Sequence, residues 1–238
     1  MSFTDLLYPK HCPVCLDALP PGRTLICDPC RKKIRYVKGP RCMKCGKPLA
    51  DETLEYCGNC EKRMPSFVKG ISWAEYTSRY VRRMLSEVKY HENPQLLDFP
   101  CLDFGERIRE EAAAWQAEAL IPVPVHASRL RERGYNQAEE IANRLGAVFG
   151  IPVETGLLVR RERTTAQKEL NEQERRNNLA SAFFVPPSHP SYHTVVLVDD
   201  IYTTGSTAEA CTRALMNAGI SEVYLLTLAI GRDHRVSL

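Results

Sequence analysis

No stretch of this chain is long and apolar enough to cross a bilayer. The most apolar runs, residues 195–198 and 224–230, fall far short of the ~20 residues a spanning helix needs. The start, MSFTDLLYPKHCPVC, lacks the basic region and long apolar stretch of a secretory signal. Excess charge of one sign is also missing. With 32 Lys and Arg against 29 Asp and Glu, the formal charge is +3, too little to argue nucleic-acid binding from the total alone. Neither GxxxxGK followed by Ser or Thr nor GxGxxG occurs, which argues against those nucleotide folds. These absences predict a soluble, cytoplasmic protein.

What is present suits 238 residues divided into a small module and one α/β domain. Hydrophobic residues at 44% and charged residues at 26% are ordinary for a globular chain. Eight of the ten cysteines form four CxxC pairs, Cys12/Cys15, Cys27/Cys30, Cys42/Cys45 and Cys57/Cys60, at an even fifteen-residue step. Each CxxC turns two thiolates toward one point, and two such turns complete a tetrahedral zinc site. A disulfide cluster is the competing reading, and the regular spacing decides against it. The spacing permits neighbouring pairs to share a metal, which is preferred, or an interleaved scheme. Four thiolates leave zinc no open position for water, so two structural zinc ions are expected. Zinc supplies roughly 10–16 kcal/mol of apparent free energy to comparable peptides, which a module this short needs to fold. Cys101 and Cys211 lack partners at ligand spacing, and burial explains them.

Arg31, Lys32, Lys33, Arg35, Lys38, Arg41, Lys44 and Lys47 lie in seventeen residues without a carboxylate, with Tyr36 among them. Such a stripe can track phosphates while the ring stacks on a base, and Lys32, Lys33 and Arg35 are the candidate contacts to single-stranded DNA. A solvated basic surface explains the same residues, and thiolate-bound zinc would cancel part of the field.

Residues 64–72 read as a connector. Val81, Met84, Leu85 and Val88 then follow the spacing of one helix face, as do Phe104, Ile108, Ala112 and Trp115. Residues 120–125 are strand-like, but Pro122 and Pro124 restrict them to an edge or a strand end. Ala138, Ile141, Ala142, Leu145 and Val148 mark another helix. Residues 194–198 suit a strand buried on both faces, followed by a loop, a helix over 206–218 stopped by Gly219, and a strand near 223–229. Alternating elements predict an α/β fold with a mostly parallel sheet.

Residues 195–207, VVLVDDIYTTGST, are the most informative. A buried strand ends in Asp199 and Asp200, where ligands of open α/β sheets gather. Thr203, Thr204, Gly205, Ser206 and Thr207 then open a helix whose N–H groups, with four hydroxyls, can surround a phosphate. Adjacent carboxylates would repel a phosphate unless they face hydroxyls or a metal. A ribose 5-phosphate satisfies both halves. An ordinary capped helix would also fit the backbone pattern, but not the acid pair and hydroxyls together.

This segment resembles the signature of type I phosphoribosyltransferases. Residues 121–126, IPVPVH, lead to Arg129, Arg131 and the run Arg133, Gly134, Tyr135, Asn136, Gln137, a basic loop and helix start suited to a diphosphate. Residues 163–177, which include Gln167, Arg175 and Asn177, read as a polar mobile flap, and Lys89 ends the first long helix. With the cysteine pairs, these stretches resemble the competence protein F family, in its ComFC-type members, over essentially the whole chain.

The resemblance implies a double zinc ribbon module over residues 1–65 and a phosphoribosyltransferase-like domain over 66–238. It also implies a role in natural transformation, with single-stranded DNA, phosphoribosyl diphosphate with Mg²⁺, and other DNA-uptake proteins as partners. Asp199 and Asp200 would be catalytic and hold the ribose hydroxyls, residues 203–207 the 5-phosphate, and residues 129–137 the diphosphate. His126 would be an acid or base, or a satisfied structural histidine. Two outcomes stay open: a DNA-handling factor that senses the ligand, or an active phosphoribosyltransferase acting on a base or amine.

Overall fold

The computed structural model describes residues 11–20, 25–90, 93–161 and 182–233. Its core is a four-stranded parallel sheet of β1 (Gly70–Glu75), β2 (Ala119–Pro122), β5 (Thr194–Tyr202) and β6 (Glu222–Ile230), in the order β1-β6-β5-β2. A two-stranded antiparallel hairpin, β3 (Val159–Arg160) and β4 (Phe183–Phe184), stands beside it. The helices are α1 (Asp28–Arg31), α2 (Gly58–Lys62), α3 (Arg79–Tyr90), α4 (Asp98–Ala114), α5 (Ala127–Arg133), α6 (Gln137–Phe149) and α7 (Ser206–Asn217).

Alternation along β5 sorts the core into two faces. Val196 and Val198 point to one face, covered by α3, α4 and α6 through Val81, Met84, Phe104, Ile141 and Leu145. Val195 and Leu197 point to the other, covered by α7 and the hairpin through Leu215, Leu158 and Phe183. The cysteine module is divided between the same two faces. Cys12 and Cys30 pack into the first core, and Cys42, Cys45, Cys57 and Cys60 into the second.

The chain between the two cysteine groups crosses the sheet edge along β1. The Val37 N–H donates to the Trp73 carbonyl, the Glu75 N–H to Arg35, and the Gly70 N–H to Lys44, at 3.2, 2.8 and 2.7 Å. An edge strand with unpaired backbone groups is thereby covered.

Three expectations change. Residues 70–72 belong to β1 rather than to a connector: Ile71, Ser72 and Trp73 are buried on both sides, so the strand shows no alternation to read. Asp199 and Asp200 lie within β5 instead of at its end, because pairing with β6 continues from Asp199↔Thr227 to Tyr202↔Ile230. The basic loop after β2 is the short helix α5: His126 Nδ1 accepts from the Ser128 N–H at its start, and Gly134, at φ +75°, ends it. Pro122 closes β2, which lies at the sheet edge.

Candidate functional site

A cleft of about 650 Å³ opens beyond the carboxyl ends of β2 and β5. Parallel sheets place ligands at this location, since the loops leaving adjacent strands diverge there. Asp199, Asp200, Thr203 and Thr207 line it from β5 and its loop, and Arg129, Arg133, Asn136 and Gln137 from the segment after β2. Lys89, Tyr90, Glu132 and Arg160 also line it. Arg131 and Gly134 stay outside this lining, since a helical turn sends successive side chains in different directions.

The electrostatics of the acid pair are uneven. Lys89 Nζ lies 2.5 Å from Asp200 Oδ2. Asp199 has no ion-pair partner among the described residues; its Oδ1 accepts the Asp200 N–H at 2.8 Å. Burial raises the Asp199 carboxyl well above its ordinary range, and the Asp200 charge adds to the effect while Lys89 opposes it. The Tyr135 hydroxyl donates to the Val88 carbonyl and ties this segment to the end of α3, the helix that carries Lys89. Asn136 is structural as well as a wall residue, since its amide donates to the Val123 carbonyl and its oxygen caps α6. Gln137 takes a hydrogen bond from Arg133 at 3.1 Å, while its buried Nε2 has no partner among the described residues.

The loop after β5 turns at Gly205, at φ +85°, and leads straight into α7. Thr203, Thr204 and Ser206 are exposed. Residues 203–207, with Asp199 and Thr227, also enclose a small cavity of about 30 Å³ inside the turn. Asn136 and Gln137 are thus brought to the same cleft as Asp199, Asp200, Thr203 and Thr207, while Thr204, Gly205 and Ser206 lie outside its lining. Gln167, Arg175 and Asn177 lie outside the described residues.

The cysteines converge as neighbouring pairs. The Sγ atoms of Cys12, Cys15, Cys27 and Cys30 lie within 4.8 Å of one another, and so do those of Cys42, Cys45, Cys57 and Cys60. Tetrahedral zinc with bonds of ~2.3 Å places its sulfurs about 3.8 Å apart. The Cys15–Cys27 and Cys45–Cys57 separations, 3.8 and 3.6 Å, fit that geometry. Thiol contacts push Cys45 and Cys60 far up while they pull Cys42 far down. Four packed thiols ionise together only around a cation. Lys47 is 2% exposed beside the second cluster with no carboxylate partner among the described residues, as a counter-ion to a thiolate-bound metal would be. Both clusters fit structural zinc. Cys101 and Cys211 are fully buried, and burial raises both thiols.

The basic stripe of the sequence divides at the sheet edge. Lys47 is buried, Lys44 faces Phe67, and Arg31 turns toward Phe99 and Asp103. The Arg107 guanidinium covers one face of the Tyr36 ring at 4.0 Å, and Trp73 meets the ring in a T-shaped contact at 5.8 Å, so the ring is engaged within the fold. Lys32, Lys33 and Arg35 remain exposed. They adjoin a group that sequence reasoning missed: Lys33 Nζ lies 5.6 Å from the Tyr80 ring, and Arg79 covers the same ring at 4.9 Å. Arg82 and Arg83 continue along the exposed side of α3, neither paired with a carboxylate among the described residues, whereas Arg107, Arg109, Arg144 and Arg213 each are. The spacing of Arg79, Arg82 and Arg83 on a helix was the available signal.

The chain matches the double zinc ribbon domain over residues 3–61 and the phosphoribosyl transferase domain over residues 130–237. Competence protein F of Haemophilus influenzae is 31% identical over 224 residues, 92% of this chain and 96% of the relative. The chain belongs to the competence protein F family. Other similar proteins are the DNA utilization protein YhgH of Escherichia coli K12, 25% identical over 94% of this chain and 98% of its own, and competence protein ComFC of Bacillus subtilis, 24% identical over 82% and 79%. A purine phosphoribosyltransferase structure from Pyrococcus horikoshii aligns with 57% of this chain and 73% of its own at 20% identity, with a TM-score of 0.34. In this competence protein F family member the ribbon match covers both cysteine clusters, and the transferase match covers α6, β5, the turn at Gly205 and α7. Among the described residues no helix is long and apolar enough to cross a membrane.

Proposed function

We propose that this protein handles single-stranded DNA during natural transformation and binds phosphoribosyl diphosphate in the cleft between β2 and β5. The observation that carries the ligand reading is the single cleft that joins Asp199, Asp200, Thr203 and Thr207 to Lys89, Arg129 and Arg133. The acids accept hydrogen bonds from the ribose diol, and the hydroxyls and N–H groups of residues 203–207 hold the 5-phosphate. Arg129 and Arg133, with Asn136 and Gln137, face the diphosphate. Mg²⁺ accompanies the ligand and spreads charge on the leaving group. On this reading residues 1–65 form the zinc ribbon module and residues 66–238 the ligand-binding domain.

The names of the relatives, competence protein F and DNA utilization protein, support the DNA role. So do the exposed cations Lys32, Lys33, Arg35, Arg82 and Arg83, which suit a phosphate backbone.

Thermal unfolding with phosphoribosyl diphosphate and Mg²⁺ tests the ligand reading. Stabilisation of the natural chain, absent in the Asp199→Asn, Asp200→Asn double variant, supports it; no stabilisation of the natural chain removes it. Turnover is a second reading, favoured by the raised Asp199 carboxyl, since perturbed acids cluster at reacting sites. Diphosphate release in the presence of a base or amine supports transfer, and its absence alongside retained binding supports sensing.

A further inference from the structure

The second ribbon reaches the turn at residues 203–207 from behind, on the side opposite the cleft. Tyr202, the last residue of β5, is 4% exposed and stands between them. Its ring meets Phe67 edge-on at 6.1 Å, and Lys47 Nζ of the ribbon lies 5.8 Å from the ring centroid. On its other side Tyr202 abuts Gly205, where an added Cβ would come within 2.8 Å of the ring carbon Cζ and closer still to the hydroxyl. Two further ties flank this contact. The Ser66 N–H and hydroxyl donate to the Glu209 carboxylate in the first turn of α7, at 2.7 and 2.9 Å. The Gly58 N–H of α2 donates to Asp233 Oδ2 at 2.9 Å, just beyond β6. The first ribbon makes none of these contacts, since it packs on the other face of the sheet.

We infer that Tyr202 is a positioning residue through which the second ribbon sets the shape of the turn and so the affinity of the cleft for phosphorylated ligands. The inference rests on the reading of residues 203–207 as a phosphate site. A cavity of about 120 Å³, lined by Cys60, Arg63, Tyr202, Thr204, Gly205 and Ser206, lies between ribbon and turn. The turn is therefore not packed from behind over its whole length, and the Tyr202 ring is what stops it from settling back. A shorter side chain enlarges that space and frees residues 203–207 to move away from the ligand.

The test compares the natural chain with Tyr202→Leu, Tyr202→Phe and Lys47→Ala. Amide hydrogen exchange is followed at residues 203–207, and affinity for phosphoribosyl diphosphate with Mg²⁺ by calorimetry. Zinc content is measured in parallel. Tyr202→Leu is expected to keep two zinc ions and slow exchange in β2, while exchange at 203–207 speeds up and affinity falls by about tenfold or more, ~1.4 kcal/mol. Tyr202→Phe, which keeps the ring, restores affinity to within about threefold, and Lys47→Ala gives a smaller loss in the same direction. Unchanged exchange at 203–207 in Tyr202→Leu overturns the inference whether or not ligand binds. Equal affinity in Tyr202→Leu and the natural chain does so too. A natural chain that binds no ligand, with exchange accelerated in Tyr202→Leu, overturns the phosphate reading and leaves the mechanical coupling standing.

Discussion

Lys89 Nζ, at the last turn of α3, pairs with Asp200 Oδ2 at 2.5 Å, in the cleft that Thr203 and Thr207 also line. One of two adjacent acids is thereby neutralised before any ligand arrives, and the field that a phosphate meets is less negative than the sequence suggests. Lys89→Met leaves Asp200 without its cation. Binding of phosphoribosyl diphosphate is expected to weaken by about tenfold or more, with a loss of about 1–3 kcal/mol in stability. Calorimetry and denaturant unfolding measure both. Unchanged affinity would show that the pair is structural only.

Asp199 makes a prediction of opposite sign. Its carboxyl is raised in the folded state, so the folded chain holds a proton that the unfolded chain releases near the usual 3.8. Stability is therefore lost as pH rises from that value through the folded one. Asp199→Asn removes the penalty. The apo variant is expected to be more stable than the natural chain at about pH 8 and nearly equal at about pH 4. Loss of stability at the higher pH would contradict the burial argument. The same substitution removes a ligand contact, a common exchange of function for stability.

The zinc sites predict two metals per chain by elemental analysis. Each cluster contributes to a separate core face, so a strong chelator is expected to unfold the sheet domain along with the ribbons, seen as loss of the near-ultraviolet signal of Trp73 and Trp115. One metal, or a sheet domain that survives chelation intact, would contradict this packing.

For DNA, charge reversal at Lys32, Lys33 and Arg35, or at Arg79, Arg82 and Arg83, is expected to weaken binding of single strands. Each phosphate contact removed lowers the slope of log affinity against log salt by roughly 0.7. Fluorescence anisotropy across a salt series reads this. An unaltered slope in both triple variants would place DNA elsewhere on the molecule.

Much of the site was readable because it is local in sequence. A β-branched run, two acids, four hydroxyls and a glycine in thirteen residues describe a strand, a turn and a helix start, and the structure has all three. The even cysteine step permitted either pairing, the short connection within each repeat favoured neighbouring pairs, and the sulfurs converge that way. What was not readable depends on distant contacts. β1 was hidden because every residue from Gly70 to Ala74 is buried, so Gly70–Glu75 carries no period. Lys47 reads as one more surface cation until the fold buries it beside Tyr202. Tyr36 reads as a stacking ring until Arg107, more than seventy residues away, covers it.

The central claim is that one cleft takes a sugar phosphate between the acids of β5 and the turn that follows. A calorimetric titration of the zinc-loaded chain with Mg²⁺ and phosphoribosyl diphosphate tests it most directly. The account predicts one ligand per chain and a loss of at least about tenfold in Asp200→Asn, ~1.4 kcal/mol. No heat of binding in the natural chain, or equal affinity in the variant, would contradict it.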